Sequence, residues 1–532
     1  MQKSISAFAS GGDSGPPIQP KLIRLNASDN VAVAASTLSP GELVLDRPQR
    51  CVTRVSIPAG HKVAVAAIAE GQPVLKYGSS IGIATREILP GEHVHTHNLT
   101  DHHVIATDVS EVAPPPSAAP ISRTFEGFHR PGGSVGTRNY VLILSTVNCS
   151  ASVCHKLVER FDSERMKRWP NVDGVFAATH TSGCALQYNG IKHQMLGRTL
   201  AGFARHANVG GCLVIGLGCE QTTAGYLNEH HGVVSLYAPN GDQLTRDDGV
   251  PFLTMQTEGG TRATIDQAER LLVQTLDRAN QATRSTADAS HLNLAVECGG
   301  SDGYSGLTAN PAVGVVSDRI VACGGTAVIS ETTELYGAEH LLVRRSRSPD
   351  VARKLLERIE WWKQYLSMYG GELDNNPSVG NKAGGLTTIT EKSLGAVSKS
   401  GSSALEEVYQ YAEQIESKGL VVMDSPGFDP ASVTGKVAGG ANLVMFTTGR
   451  GSCFGCKPTP VIKIATNTEM FNRLRDDMDL NAGVVVEGED LETVGDQFFE
   501  YALRVASGEQ TSSERLGIGD HEFIPWTVGP TV

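Results

Sequence analysis

The stretch from Glu111 to Pro120, EVAPPPSAAP, divides the chain into two texts that do not belong to one fold layer. So many prolines favour an extended, semi-rigid spacer. Before it, from Lys21 to about Thr107, come short β-like runs: VAVAAS, VTRVSIP, KVAVAAI, PVLKYG and IGIAT. Turn pairs such as Pro40-Gly41, Ala59-Gly60 and Pro90-Gly91 separate them, which predicts a small all-β module. Beyond the spacer, strand-like runs alternate with amphipathic helices, so the rest is expected to be α/β with mainly parallel, Rossmann-like sheets. The resulting plan is a multidomain chain: a Gly, Ser and Pro-rich start at 1–20 expected to be disordered, the β module at 21–107, a linker at 108–122, a first α/β domain at 123–285 and a C-terminal α/β domain at 286–532. The polar stretch Asn280–Ser290 is the expected joint between the last two. One helix is predicted from Thr264 to Ala279, opened by a Thr264/Gln267 capping box and burying Ile265, Ala268, Leu271, Leu272 and Leu276. Another runs from about Val351 to Tyr369 over Leu355, Ile359, Trp362 and Leu366. No internal repeat emerges.

With 532 residues the chain needs more than one domain. A net charge of −12 gives neither nucleic acid nor an anionic membrane a basic surface to meet. No run approaches the roughly 18 apolar residues of a membrane span, and the first residues lack a signal peptide's apolar core. The expected location is cytoplasmic. There, 10 cysteines are better suited to ligating than to bridging.

Four of those cysteines sit at or just beyond apolar runs: Thr146-Val147-Asn148-Cys149, His180-Thr181-Ser182-Gly183-Cys184, Gly216-Leu217-Gly218-Cys219-Glu220 and Glu297-Cys298-Gly299-Gly300-Ser301-Asp302. Open α/β sheets gather ligands at strand ends, and thiolates there can hold iron. The plainer alternative is that free cysteine is a small buried hydrophobe, which suits Cys154 and Cys212. Cys453-Phe-Gly-Cys456 is a lone CxxC, either half a metal site, a redox pair or a Gly-rich turn that happens to carry two thiols. Three Gly-plus-cation loops can grip carboxylates: Gly136-Thr137-Arg138-Asn139, Asn381-Lys382-Ala383-Gly384-Gly385 and Thr447-Thr448-Gly449-Arg450-Gly451. None completes a phosphate-loop pattern. His93, His95 and His97 alternate on a predicted strand; the reading preferred from sequence is a polar exposed face, the other a metal site.

Together these motifs resemble the altronate and galactarate dehydratase family of sugar-acid hydro-lyases. Asp29-Asn-Val-Ala-Val33, Gly60-His-Lys62 and Val74-Leu-Lys-Tyr-Gly78 are similar to its N-terminal β-clip module of the SAF type. The most specific stretches are Gly132-Gly-Ser-Val-Gly-Thr-Arg-Asn139, Gly216-Leu-Gly-Cys-Glu220, the run from Glu297 to Pro311, Asn376-Pro-Ser-Val-Gly-Asn-Lys-Ala-Gly-Gly385 and Thr447-Thr-Gly-Arg-Gly451. His93–Asn98 and Tyr336–Leu342 look more like the altronate branch. Thr447-Thr448 and the chain's end look closer to the galactarate branch. Ser452-Cys-Phe-Gly-Cys456 stands where both relatives show Thr-Pro-Tyr-Gly, so the substrate stays open.

The resemblance implies iron-dependent loss of water from a sugar acid, altronate favoured, giving a 2-keto-3-deoxy acid. Such chemistry needs a base beside a carboxylate, a positive centre for the enediolate and help for the leaving hydroxyl. The expected metal ligands are Cys149, Cys184, Cys219 and Cys298, with His180 or Glu220 as substitutes, holding Fe(2+) or an iron–sulfur cluster. Arg138, Asn139, Lys382 and Arg450 are expected to bind substrate, with His180 or Lys382 as the base. Alternatives are galactarate as substrate, a carbon–sulfur lyase of sulfonated hydroxy acids, a non-catalytic sugar-acid binder, or a thiol–disulfide protein using Cys453 and Cys456. A homodimer is the default assembly.

Overall fold

The computed structural model describes residues 21–46, 49–103, 109, 112–232 and 250–528. The start expected to be disordered, the expected end of the β module at 104–107 and linker positions 108, 110 and 111 lie outside these residues.

The N-terminal module is built of short antiparallel strands. One sheet runs in the order Leu22–Ile23, Val31–Ala34, Lys62–Ala64, His93–Val94; another joins Pro73–Lys76, Ser79–Ala84 and Leu99–Thr100. A hairpin of Leu43–Asp46 and Gln49–Val52 completes it. Its apolar side chains divide between two cores: Leu22, Ala32, Leu38, Ile57 and Val63 cluster within the module, and others face the C-terminal domain. Val31, Ala64, Val74, Ile81 and Val94 belong to one buried cluster with Leu294, Val296, Val313 and Leu420 of the C-terminal domain. The linker is pinned as well: Ala113 N–H donates to Arg344 O at 2.7 Å and Ile121 N–H to Ala322 O at 3.0 Å.

Two parallel sheets follow. The first has the order Gly174–Ala178, Tyr140–Ser145, Val209–Gly216, Phe252–Thr254. Val141 and Ile143 pack on one face with Val153, Leu157 and Leu272. Leu142 and Leu144 pack on the other with Leu200, Val433 and Phe446, as the two-residue side-chain period of a strand requires. The second sheet has seven strands in the order Leu405–Tyr409, Gly419–Met423, Thr326–Ile329, Asn293–Cys298, Leu443–Thr448, Val461–Ala465, Leu480–Asn481. All its neighbours are parallel. The multidomain α/β plan with an antiparallel N-terminal module is therefore the observed architecture.

One local expectation differs. The helix expected from Thr264 runs Thr261–Ala279 and has Gly260 as its N-cap, with no side-chain cap. Thr264 is already inside, its hydroxyl donating to Gly260 O at 2.8 Å, so no capping box forms. Within the expected joint Asn280–Ser290 lies the strand Ser285–Asp288, which pairs antiparallel with Thr124–His129. The helix Pro349–Met368 buries Leu355, Ile359 and Trp362, while Leu366 is half-buried.

A buried ionic knot fastens the β module to the C-terminal domain. Glu391 accepts from Lys62 Nζ at 2.8 and 3.0 Å and from Lys76 Nζ at 2.8 Å. Lys62 Nζ also reaches Gly385 O at 2.7 Å, and Thr387 donates to Glu391 through N–H and hydroxyl. Burial alone would raise the Glu391 carboxyl, but the two ammonium groups hold it well below 4.5. One carboxylate cannot balance two cations, and burial pushes Lys62 down to about 8. Glu391→Gln strands two ammonium groups and should cost about 3–5 kcal/mol, measured by denaturant unfolding. Because the folded pKa of Glu391 is depressed, its contribution is present above pH 4.5 and fades as pH falls below it.

Candidate active site

In the seven-stranded sheet the chain leaves Asn293–Cys298 for Thr326–Ile329 on one side and later returns to Leu443–Thr448 on the other. That reversal opens a crevice at the carboxyl ends of these strands, where open α/β sheets bind ligands. The two loops that border it are stitched together. Gly299 N–H donates to Thr447 O at 3.1 Å, and Gly449 and Arg450 N–H both donate to Gly300 O, at 3.1 and 2.9 Å. A Cβ on Gly299 would lie 2.1 Å from Asp429 Oδ2 and 2.4 Å from Phe446 Cζ, so glycine is what admits Asp429 to the crevice.

Beneath the loops lies a concentration of buried charge. Lys392 Nζ donates to Glu334 Oε1 at 2.6 Å and Lys399 Nζ to Glu331 Oε2 at 2.9 Å, while Lys436 pairs with Glu297. Asn376 Nδ2 also reaches Glu334 Oε1, at 2.8 Å. Glu331 sits at φ +60°, a left-handed position unusual for a side chain of its size, with its N–H held by Ser425 Oγ at 2.9 Å. Burial and the neighbouring Glu331 raise Glu297 above the ordinary carboxylate range. Burial, then Glu331 and Glu334, lift half-buried Asp429 to about 7. Burial pushes the Cys298 thiol up to about 11, opposed by Lys399. Ser301 Oγ donates to its sulfur at 3.3 Å.

The donor atoms form two overlapping sets, each with its members within 4.8 Å: Cys298, Glu331 and Glu334, and Glu297, Glu331 and Asp429. Glu297 Oε1 and Glu331 Oε1 are buried without a hydrogen-bond partner. Carboxyls this close need a shared proton or a cation between them. One sulfur with several oxygens is a donor set that fits a divalent ion, iron included.

The residues expected from sequence distribute unevenly. Cys298 and Arg450 lie at this crevice, with the Arg450 side chain exposed. Lys382 borders it: Asn381 Nδ2 donates to Ser301 O at 2.8 Å and Gly303 N–H to Gly384 O at 2.8 Å, which lays the 381–385 loop on the Ser301–Gly303 turn. The half-buried Lys382 ammonium has no hydrogen bond among the described residues. Arg138 stands elsewhere, buried in a bidentate pair with Glu514 at 2.6 and 2.8 Å, its other donors on Thr137 O, Val505 O and Glu509 O. Asn139 is likewise engaged in the protein, with Nδ2 on Asn171 O and Ala279 O and its Oδ1 accepting from Arg130. Both fasten the fold and leave no donor for a ligand.

Cys149, Cys184 and Cys219 are exposed at the carboxyl end of the four-stranded sheet, Cys149 in the first turn of the helix Asn148–Val158 and the other two on loops bonded to the segment before it. Asn148 N–H donates to Ser182 O at 2.9 Å, and Thr146 Oγ1 to Glu220 Oε1 at 2.9 Å. Cys298 belongs to the other sheet and is buried, so the four thiols divide three and one. His180 stays with the three; burial pushes its imidazole down to about 4, and its Nε2 is buried without a partner. Cys456 is buried, with its thiol pushed up to about 12, the reverse of what a redox CxxC requires.

Sequence reasoning passed over Glu331, Glu334, Asp429, Lys392, Lys399 and Lys436. A signal existed for Glu331, which follows the apolar run TAVI as Cys298 follows LNLAV. The lysines lie on helices and turns with nothing local to mark them.

The comparisons accord with this architecture. "Altronate/galactarate dehydratase SAF domain" matches residues 20–102, "D-galactarate dehydratase/Altronate hydrolase, second domain" matches 127–280, and "D-galactarate/Altronate dehydratase, C-terminal" matches 289–531. Altronate dehydratase of Bacillus subtilis (strain 168) is 35% identical over 498 residues, covering 93% of this chain and 96% of the relative. The chain belongs to the altronate/galactarate dehydratase family. It is a hydro-lyase of that type. Galactarate dehydratase (L-threo-forming) of Escherichia coli (strain K12) is 36% identical over 520 residues, covering 93% and 95%. The (2R)-sulfolactate sulfo-lyase subunit beta of Chromohalobacter salexigens is 32% identical over 407 residues, 76% of this chain and 97% of the subunit. No helix among the described residues is long and apolar enough to cross a membrane.

Exposure separates the thiols sharply, which brief alkylation of the native protein followed by peptide mass mapping will read. Cys149, Cys184, Cys219 and Cys453 should be modified first, with Cys298 and Cys456 protected until the protein unfolds. Gly299→Ala should keep the fold but displace Asp429, lowering turnover at least tenfold in a steady-state assay.

Proposed function

We propose that this protein dehydrates a hexonic or hexaric acid, altronate favoured, to a 2-keto-3-deoxy acid at the crevice bordered by Cys298, Asp429, Lys382 and Arg450. The observation that carries the reading is the half-buried Asp429 carboxyl at the strand-reversal crevice, packed on Gly299 and grouped with Glu297 and Glu331, with its proton affinity raised by burial and by Glu331 and Glu334. Its proton is available near neutral pH, as a general acid requires.

Arg450 and Lys382 would hold the substrate carboxylate, Arg450 by paired N–H donors. The proton on C2 passes to a base: His180 where Lys382 holds the carboxylate as an ammonium, or Lys382 in its neutral form where Arg450 alone holds the carboxylate. Asp429 gives its proton to the hydroxyl on C3, which departs as water. The resulting enol takes a proton on C3 and becomes the ketone. Cys298, Glu331 and Glu334 would hold a single iron, whereas Cys149, Cys184 and Cys219 suit three corners of an iron–sulfur cluster, with Cys298 then spare. When bound, iron supplies positive charge for the enediolate oxygens. The identities to altronate and galactarate dehydratases, 35% and 36%, leave either acid in play.

Anaerobic turnover of the iron-reconstituted protein against aldonates and aldarates is the test, read as 2-keto-3-deoxy acid formed. Altronate should give product. Product from galactarate alone would replace the substrate, and sulfite release from a sulfonated hydroxy acid without keto acid would replace the reaction. Asp429→Asn should lower kcat by about 10²–10⁴.

A further inference from the structure

The hairpin of Pro73–Lys76 and Ser79–Ala84 turns on two residues, Tyr77 and Gly78, which take no part in the chemistry above. Both have positive φ, 61° and 72°, as a type I′ turn requires. Glycine adopts that conformation freely. At the first position such turns take Asn, Asp or Gly, and a tyrosine there is held against backbone strain. Buried Asp29 supplies part of the hold: its Oδ2 accepts from Tyr77 N–H at 3.2 Å and its Oδ1 from Gly78 N–H at 2.7 Å. That clamp fixes the turn but gives no reason for a phenol.

The phenol leaves the β module and ends in a socket of the C-terminal domain. A Cβ on Gly306 would lie 2.4 Å from the Tyr77 hydroxyl oxygen, and one on Gly395 would lie 3.6 Å from it. Two glycines thus clear the place that the hydroxyl takes. Lys76 Nζ stands over the ring, 4.7 Å from its centroid, a cation–π contact that steadies it. Beside the phenol is an enclosed space of about 10 Å³ whose walls include Tyr77, Glu391, Cys298, Lys392, Ser301 and Asn310. A space of that size with polar walls accommodates one water. Glu391 belongs to the ionic knot, and Cys298 and Lys392 belong to the crevice. The helix Ile389–Val397 carries Glu391, Lys392 and Gly395, so one helix serves the knot, the crevice and the socket. Among the described residues Lys392 Nζ donates to Glu334 Oε1 at 2.6 Å and to Asn376 Oδ1 at 3.1 Å, which leaves one of its three protons for a further acceptor.

We propose that Tyr77 is a positioning residue of the Cys298 centre: its hydroxyl, bridged by one enclosed water to the Cys298 sulfur and the Lys392 ammonium, holds these two groups in place. The β module thereby supplies hydrogen bonding to the core of the candidate active site from across a domain boundary. The catalytic consequence rests on the dehydratase reading of the crevice; the bridge itself does not.

Tyr77→Phe is the test, because it keeps the ring and the Lys76 contact and deletes only the hydroxyl. Crystal structures of the full-length parent and of this variant give a readout independent of turnover. The parent should show one ordered water within hydrogen-bond reach of Tyr77 Oη and of Cys298 Sγ or Lys392 Nζ. In the variant that water should be lost or displaced, with the Cys298 or Lys392 side chain shifted. In steady-state turnover kcat should fall about tenfold, while KM stays within about twofold because Arg450 and Lys382 are untouched. A ring that serves only packing would leave kcat and the two side chains unchanged, and that result would overturn the proposal. So would a parent structure with no water in this space. A parent that converts no sugar acid would count against the reaction, and the pair of crystal structures would still decide the role of Tyr77.

Discussion

Everything near the candidate site depends on one buried carboxylate. Glu391 draws Lys62 and Lys76 out of the β module into the C-terminal domain and holds both ammonium groups away from water. A buried ion pair is a poor source of net stability compared with an apolar contact, but it tolerates few alternative arrangements. Here it fixes the approach. A Cβ on Gly303 would lie 1.9 Å from Gly60 O, a closeness that only a fixed register and a bare backbone permit. The 381–385 loop is trapped between these surfaces, touching His61 and His95 on one side and Ser301 on the other.

The crevice shows the same economy of position. Acids and lysines that would repel water-exposed neighbours are buried in alternation, so each charge is offset by an adjacent one. Asp429 is the member left at the rim without a lysine of its own, and its proton affinity is raised first by burial and then by Glu331 and Glu334 behind it. The electrostatics follow from how the sheet is wound: Glu297, Glu331 and Thr447 arrive from three neighbouring strand ends, with the long excursion through Lys392 and Lys399 closing over them.

The parts of this fold that were legible in the sequence are those written locally. Turn pairs, apolar alternation and the proline spacer marked the β module, and the strand-end cysteines pointed to the edges of both sheets. Boundaries were less legible. Thr264 has the look of a cap, yet the preceding Gly260 starts the helix a turn earlier, and Ser285–Asp288 has a polar text that only pairing with Thr124–His129 turns into a strand. The site was half legible for the same reason. Arg138 and Arg450 occupy similar Gly-rich loops, and only tertiary structure shows that one meets Glu514 while the other meets solvent.

The strand pair Thr124–His129 and Ser285–Asp288 has a wider implication. The chain enters the four-stranded unit and leaves it through hydrogen-bonded neighbours, so that unit is a closed excursion whose two ends are zipped together on the C-terminal domain. The rest of its inner surface is packed on the same domain, Leu142, Leu144 and Leu200 with Val433 and Phe446, and Arg138 with Glu514. The unit is thus moored at its hinge and along one face, and the rim left outside that mooring is the one that bears three exposed thiols.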